Sequence, residues 1–365
     1  MRPRSKPDAL TILLVRPRLI GDVILTTPLI RALRRRFPDA QLLYLVEALA
    51  APVVMTNPAV SEVIVIRHRR GWRRIWEDVR LAARLRAKHI DVAIDLHGGP
   101  RSSWLTWATR ARMRVGYDVS GRRWMYTHVA PKPRGYAPRH SVRNQWDLLG
   151  PVDAAFADPP DPDRDRVEMP VSDRARAATS SRLQSIGVPA SAEVVVLHVG
   201  AGNAFRRWAP DKFAAVAQAL ANARTNRWII VLGSQADAEI VADVMKAAPA
   251  AGTDSGGRIV PAVGWPLEEV RALMDRATLF VGGDSGPMHI AATTDVPIAA
   301  LFGPTMPVTW APWRPARLPF AAIETGPLPC RPCDQRVCEP GDFRCMTRIG
   351  PEMVVAAAER LLEAS

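Results

Sequence analysis

Short apolar runs recur through this chain, each ending in a polar, glycine-rich turn and running on into a segment of helical periodicity. Repetition of that kind leaves few architectures open other than a parallel sheet buried on both faces by crossover helices. Residues Leu279–Gly303 carry the pattern most fully. They read as a strand (Leu279–Gly282), a turn Gly283-Asp284-Ser285-Gly286-Pro287, a short helix with His289, and a second strand, Val296–Phe302. Glycines at a strand's carboxyl end let the backbone approach a ligand. The helix start after Pro287 aims free N–H groups and a positive dipole end at the same point. Asp284, Ser285 and His289 add polar groups there, at the edge where open α/β sheets bind ligands. The spacing suits a phosphate-bearing ligand held by main chain, with no P-loop lysine motif present. The plainer alternative is an ordinary turn whose Asp284 and Ser285 only cap the helix.

Along the chain the alternation persists. Leu10–Val15 reads as a strand followed by the loop Arg16–Gly21. The helical segment Asp22–Phe37 either starts at Thr27 with Pro28 in its first turn or starts near Asp22 and kinks. Asp22, Thr26 and Thr27 stay near the first strand's carboxyl end in both cases. A carboxylate there is a candidate general base, or simply another cap. Gln41–Val46, Val60–Ile66, Ile90–Leu96 and Met113–Tyr117 read as further strands, Trp72–Lys88 as a basic amphipathic helix, and His140–Leu149 as helical. The fourth strand ends in another polar turn, His97-Gly98-Gly99-Pro100-Arg101-Ser102.

Residues 151–170 are rich in Pro and Asp, lack periodicity, and read as a linker. A second series follows: strands Glu193–Val199, Trp228–Leu232 and Ile259–Val263, helices Pro210–Ala223, Gln235–Ala248 and Pro266–Ala277. Its first turn holds Ala201, Gly202 and Arg206. The expected organisation is therefore α/β with two Rossmann-like, doubly wound domains facing a cleft. An N-terminal domain spans 1–170 with linker 151–170, a second spans 171–350, and a terminal helix in 351–365 packs back on the first.

Charge is unevenly placed. Residues 1–140 hold 27 Lys/Arg against 10 Asp/Glu, whereas residues 141–365 hold 22 against 26. The basic half, with Arg31, Arg34, Arg35 and Arg36 and then Arg67, Arg69, Arg70, Arg73 and Arg74, suits an anionic lipid or glycolipid surface, or nucleic acid. A merely solubilising arginine bias is the third explanation. No apolar run is long enough to span a bilayer, and Leu10–Val15 is too short for a secretory core, so a cytoplasmic protein is expected. Cys330, Cys333, Cys338 and Cys345 cluster at a spacing that could close a tetrahedron of thiolates around a structural metal, or leave free thiols tying down a loop. Neither case makes a catalytic metal, and no cofactor is expected.

In their order and spacing these motifs are similar to the ADP-heptose-dependent lipopolysaccharide heptosyltransferases, inverting glycosyltransferases of the GT-B fold. The resemblance covers nearly the whole chain. It rests on Leu13–Arg16, Ile20-Gly21-Asp22 and Thr26-Thr27-Pro28, on Asp95-Leu96-His97 with Arg101-Ser102, and on Arg114–Tyr117. In the second half it rests on Gly200–Gly202, Arg206–Pro210, Gly283–His289 and Leu301–Thr305. The resemblance implies heptose transfer from ADP-heptose to the Kdo/heptose inner core of lipopolysaccharide. It implies Asp22 as the base, and a donor site of Ala201, Gly202, Arg206, Asp284, Ser285, Gly286 and His289. Thr26, Thr27, His97 and Arg101 are expected on the acceptor side. Lys is usual in the family at Arg206, and Thr is frequent at Ser285. Attachment is expected to be peripheral, on the inner face of the inner membrane, with no nucleic acid partner. Three alternatives stand beside this: a transferase of the same fold with another nucleotide-sugar; a nucleotide-sugar epimerase or hydrolase of that fold, which would not need a basic acceptor face; and a nucleic-acid-binding protein, which would explain the charge but not the turns of the acidic half.

Overall fold

The computed structural model describes residues 9–67, 71–131, 138–248 and 256–364. By contacts the chain divides into two compact units, Met1–Pro170 and Val171–Ser365.

In the first unit six parallel strands, β1 (Thr11–Val15), β2 (Gln41–Glu47), β3 (Glu62–Ile66), β4 (Val92–Asp95), β5 (Met113–Tyr117) and β6 (His128–Ala130), lie in the order β3-β2-β1-β4-β5-β6. Helices α1 (Ile20–Ile24), α2 (Thr27–Arg36), α3 (Pro52–Met55), α4 (Trp72–Ala87), α5 (Pro100–Ala108) and α6 (Ser141–Trp146) make the connections. Leu13, Val15, Leu45, Ala93, Leu85 and Leu105 form a core from both layers, since strands covered on two faces need apolar residues on each. The segment after Arg16 is two helices, α1 and α2, with Pro28 in the first turn of α2, where its missing N–H leaves no bond unmade.

Residues 151–170 do not run free as a linker. They are strapped to the first unit: Arg31 pairs with Glu168 at 3.1 Å, Arg36 with Asp153 at 2.7 Å, Arg35 with the buried Asp165, and Asn57 donates to Glu168 at 2.8 Å.

The second unit repeats the plan. Strands β7 (Glu193–His198), β8 (Arg227–Gly233), β9 (Ile259–Val263), β10 (Leu279–Gly283), β11 (Ile298–Leu301) and β12 (Phe320–Ile323) are parallel in the order β12-β11-β10-β7-β8-β9. Its helices are α7 (Asp173–Ser185), α8 (Pro210–Ala223), α9 (Ala238–Ala247), α10 (Leu267–Arg276), α11 (Gly286–Ala291), α12 (Pro307–Trp310), α13 (Arg344–Thr347) and α14 (Pro351–Glu363). The terminal helix expected in 351–365 is α14. Val354, Ala357, Ala358 and Leu361 of α14 join the core of the second unit itself, against α8 and the strands β10–β12.

Counted from its own first strand, each sheet has the order 3-2-1-4-5-6. The connections reverse direction between β1 and β4 in one unit and between β7 and β10 in the other. Such a reversal opens a crevice at the strands' carboxyl ends, where doubly wound sheets take their ligands.

Candidate active site

The crevice of the second unit is built at the ends of β7 and β10. Paired strands bring His198 level with Gly282, so the turns that follow them, 199–206 and 283–286, are neighbours. Asp284 is 5% exposed and has two side-chain companions. Arg206 Nη1 lies 3.3 Å from Asp284 Oδ2 and also donates to the Asp284 carbonyl at 3.3 Å; His289 Nε2 lies 3.8 Å from Oδ1. Ser285 and His198 Nδ1 share a hydrogen bond of 3.3 Å beneath them. Burial pushes the His198 imidazole down to about 4, so at neutral pH it is uncharged.

Arg206 is 30% exposed at its side chain, and its Nε donates to Gln335 Oε1 at 2.8 Å. Gln335 belongs to the cysteine-bearing segment, which is itself fastened to this crevice. Phe205 and Phe343 rings lie 5.3 Å apart, and the buried Arg331 donates to the Thr305 carbonyl at 2.7 Å. Met346 packs so closely over Gly303 that a Cβ there would lie 2.1 Å from its sulfur, which explains the glycine. At the β7 turn the glycine that sterics demand is Gly200, whose Cβ would strike the Asp237 carboxylate at 2.3 Å. Gly202 is exposed with open space above it, as close approach by a ligand would need. Ala201 sits beside it, half-buried.

The four cysteines are free thiols around a concavity of about 430 Å³. Burial pushes the Cys345 thiol up, and the neighbouring Cys330 adds to that. Among the described residues no group of three or more His, Cys, Asp or Glu side chains stands where it could hold a metal ion.

The crevice of the first unit is formed by the ends of β1 and β4. Asp22, in α1, takes an ion pair from Arg16 Nη2 at 2.8 Å and a hydrogen bond from the Leu19 amide at 3.2 Å. Arg16 also donates to the Leu96 carbonyl, which ties the β1 turn to the β4 turn carrying His97. Burial, and then the positive Arg16, hold the His97 imidazole below its ordinary range. Beneath the turn, Asp95 is wholly buried. It accepts from the His97 and Gly98 amides at 2.9 Å each, from Ser102 at 3.0 Å and from Tyr126 at 2.6 Å.

Asp22 and His97 thus share one crevice, whereas the other expected acceptor groups do not present themselves to it. Thr26 and Thr27 are wholly buried: the Thr26 hydroxyl bonds the Val23 carbonyl and Tyr44, while the Thr27 hydroxyl bonds the Ile24 carbonyl and the Glu168 amide. Their work is to shape the α1–α2 junction that carries Asp22. Arg101 is spent on Asp78, with bonds of 2.7 and 3.1 Å, and lies 3.6 Å from Glu47.

Comparison with known proteins gives the family. Residues 79–339 match the sequence profile of Glycosyltransferase family 9 (heptosyltransferase). The chain belongs to this family. Family 9 enzymes are glycosyltransferases, and this chain is one. It is similar to lipopolysaccharide heptosyltransferase 3 of Escherichia coli, 28% identical over 357 residues, which cover 95% of this chain and 98% of that protein. Its fold is that of a family 9 glycosyl transferase from Veillonella parvula (TM-score 0.84, 24% identity, 99% of each chain). It is also that of an ADP-heptose LPS heptosyltransferase II from Escherichia coli (TM-score 0.75, 21% identity, 97% of this chain and 99% of that one). The α/β, doubly wound class expected from the sequence is the class observed, and it is that of the GT-B heptosyltransferase structures. Asp22 lies ahead of the matched residues. Arg16 in the first crevice, and His198 and Gln335 in the second, touch expected site residues without being singled out by the sequence.

Proposed function

We propose that the chain transfers a heptose from ADP-heptose to the Kdo/heptose inner core of lipopolysaccharide, by direct displacement with inversion. The observation that carries this is the convergence of Arg206, Asp284 and His289 at the switch point of the second unit, in a family 9 chain. A relative of the same fold is an ADP-heptose enzyme, and the most extended sequence similarity above is to a lipopolysaccharide heptosyltransferase.

Displacement needs a base for the attacking hydroxyl and positive charge for the departing diphosphate. Asp22 takes the proton as the acceptor oxygen bonds to the anomeric carbon. The bond from that carbon to the diphosphate oxygen breaks, and ADP leaves against Arg206 and the main-chain amides of the 283–286 turn. Asp284 holds Arg206 in place for this, while Gly202 leaves room for the donor. Arg16 orients the Asp22 carboxylate, and His97 offers a neutral hydrogen-bonding edge to the acceptor. No cofactor or divalent metal takes part in this scheme. The protein works as a peripheral enzyme on the inner face of the inner membrane, a reading supported by the excess of 17 positive charges in residues 1–140. Among the described residues no helix is long and apolar enough to cross a membrane.

The test is product analysis by mass spectrometry after incubation with ADP-heptose, with and without a Kdo–lipid A acceptor. A product heavier by one heptose, formed only with acceptor present, is expected. Hydrolysis of the donor to free heptose with no transfer overturns the reading. Faster transfer from another nucleotide-sugar in a donor panel replaces heptose by that sugar and keeps the transferase.

A further inference from the structure

Helix α4 turns the wrong side outward for a soluble helix. Its inner face buries Asp78, Leu81, Ala82 and Leu85. On its outer face Trp72 is 67% exposed, Ile75 64%, Trp76 61% and Val79 50%. These positions follow the i, i+3, i+4, i+7 spacing of one helical stripe, so two large aromatics and two branched aliphatics stand side by side in solvent. Single exposed apolar residues are ordinary, whereas a contiguous patch of this kind marks a docking face.

The charge around the stripe says what docks. Residues 72–87 contain five arginines against one Glu and one Asp. Asp78, one of those two acids, is buried and engaged with Arg101 and Arg74, so it does little to offset the outer face. Arg80 and Arg84 are exposed along the edge of the stripe. A protein partner for a basic apolar face would have to bury those guanidiniums against acids of its own. A bilayer of anionic lipid takes tryptophan at the headgroup level, branched aliphatics just below, and arginine at the phosphates, all in one plane.

We propose that α4 is the element that seats this protein on an anionic membrane, with Trp72, Ile75, Trp76 and Val79 entering the interface and Arg80 and Arg84 meeting lipid phosphates. This deepens the peripheral attachment proposed above and rests on it. It also moves the attachment away from the arginines of α2, which hold the 151–170 strap and the carbonyls of 40 and 59 instead.

The test is co-sedimentation of the full chain with vesicles of phosphatidylcholine alone and of phosphatidylcholine with phosphatidylglycerol. The wild type is expected to sediment with the anionic vesicles only, and less so in high salt. The double variant Ile75→Glu/Trp76→Glu, with unchanged circular dichroism and thermal midpoint, should lose on the order of tenfold or more in partitioning. Brominated acyl chains should quench the tryptophan emission of the wild type, and Trp72→Phe/Trp76→Phe should lose most of that quenching. Equal sedimentation of the Ile75→Glu/Trp76→Glu variant and the wild type overturns α4 as the seat while leaving membrane attachment itself standing. Failure of the wild type to sediment with anionic vesicles overturns both. A concentration-dependent dimer that Ile75→Glu/Trp76→Glu dissolves also overturns the proposal, making the stripe a contact between two copies.

Discussion

The Asp22 carboxylate already accepts from Arg16 and the Leu19 amide, and its side chain remains 15% exposed. Asp22→Asn keeps the shape of the group and removes its ability to take a proton. Turnover should fall by roughly 10²–10⁴-fold while ADP binding by calorimetry stays unchanged; near-wild-type turnover would take the base away from Asp22. Arg206 bears the leaving group in the proposed scheme, so Arg206→Ala should cost about 1.5–3 kcal/mol of donor or transition-state binding, with Arg206→Lys recovering part of it. Gln335→Ala removes only the residue that fixes Arg206 Nε, and should raise the donor KM by less than Arg206→Ala does. Transfer by metal-free protein should persist in excess EDTA; activity lost there and restored by Mg²⁺ or Mn²⁺ would hand the diphosphate to a cation. The sequence displayed Arg206, Asp284 and His289 because each stands in or beside a glycine turn at a strand's end. It could not display Gln335 or His198, whose partners Arg206 and Ser285 are 129 and 87 residues away along the chain. Nor could it tell that Thr26 and Thr27 are buried, since hydroxyls beside a helix start look alike whether they cap, pack or bind.

At the scale of elements, the arginines of α2 suit an anionic lipid or glycolipid surface by sequence, and the structure gives them other work. Arg34 donates to the carbonyls of Ala40 and Ala59 at 2.9 Å each, while Arg31, Arg35 and Arg36 hold the strap. Arg69 and Arg70 lie outside the described residues. Burial pushes the Asp165 carboxyl up, but hydrogen bonds from Arg164, the Asp161 amide and Arg35 outweigh it and leave the group below the usual range. Arg35→Ala should therefore destabilise the first unit by about 1–3 kcal/mol in urea unfolding and leave vesicle binding intact. Vesicle binding lost at full stability would restore α2 as a lipid face. The carboxyl end of β7 carries a pH dependence of its own. His198, ordinarily near 6.5, titrates at about 4 when folded, so the unfolded chain takes up its proton first. Stability from this group is whole above pH 6.5, falls as pH drops toward 4 by about 3 kcal/mol, and changes no further below that. His198→Asn should flatten the difference between urea unfolding at pH 7 and pH 4.5; an unchanged slope would place the dependence elsewhere. Strong periodicity made α8, β9 and α14 readable almost to the residue. Among the elements absent from the sequence reading, β6 has three residues, β12, α3, α12 and α13 have four each, and α7 buries only Ala175, Thr179 and Leu183 of its thirteen.

For the whole molecule, one topology is used twice with unlike electrostatics: residues 1–170 hold 30 Lys/Arg against 17 Asp/Glu, and residues 171–365 hold 19 of each. Both sheets have the 3-2-1-4-5-6 order, but the first 140 residues carry the positive excess and the remainder is net negative by four charges. This division was visible in composition, because a charge bias survives any arrangement of the chain. The strapping of 151–170 was not, since a Pro- and Asp-rich segment looks the same whether it runs free or lies on arginines. Each unit buries its own core, and α14 joins that of the second. A unit with a separate core is the part of a chain able to fold alone. All the proposed donor groups, from Ala201 through His289 to Gln335, lie in the second unit, together with the cysteine segment that steadies Arg206. Residues 171–365 expressed alone should therefore fold and bind ADP with an affinity within about tenfold of the full chain, a difference of ~1.4 kcal/mol. Residues 1–170 should bind none. Calorimetric titration with ADP decides it. A folded second unit that fails to bind ADP would mean that the donor site needs groups from the first, and that Arg206 and the 283–289 turn do not suffice to hold the diphosphate.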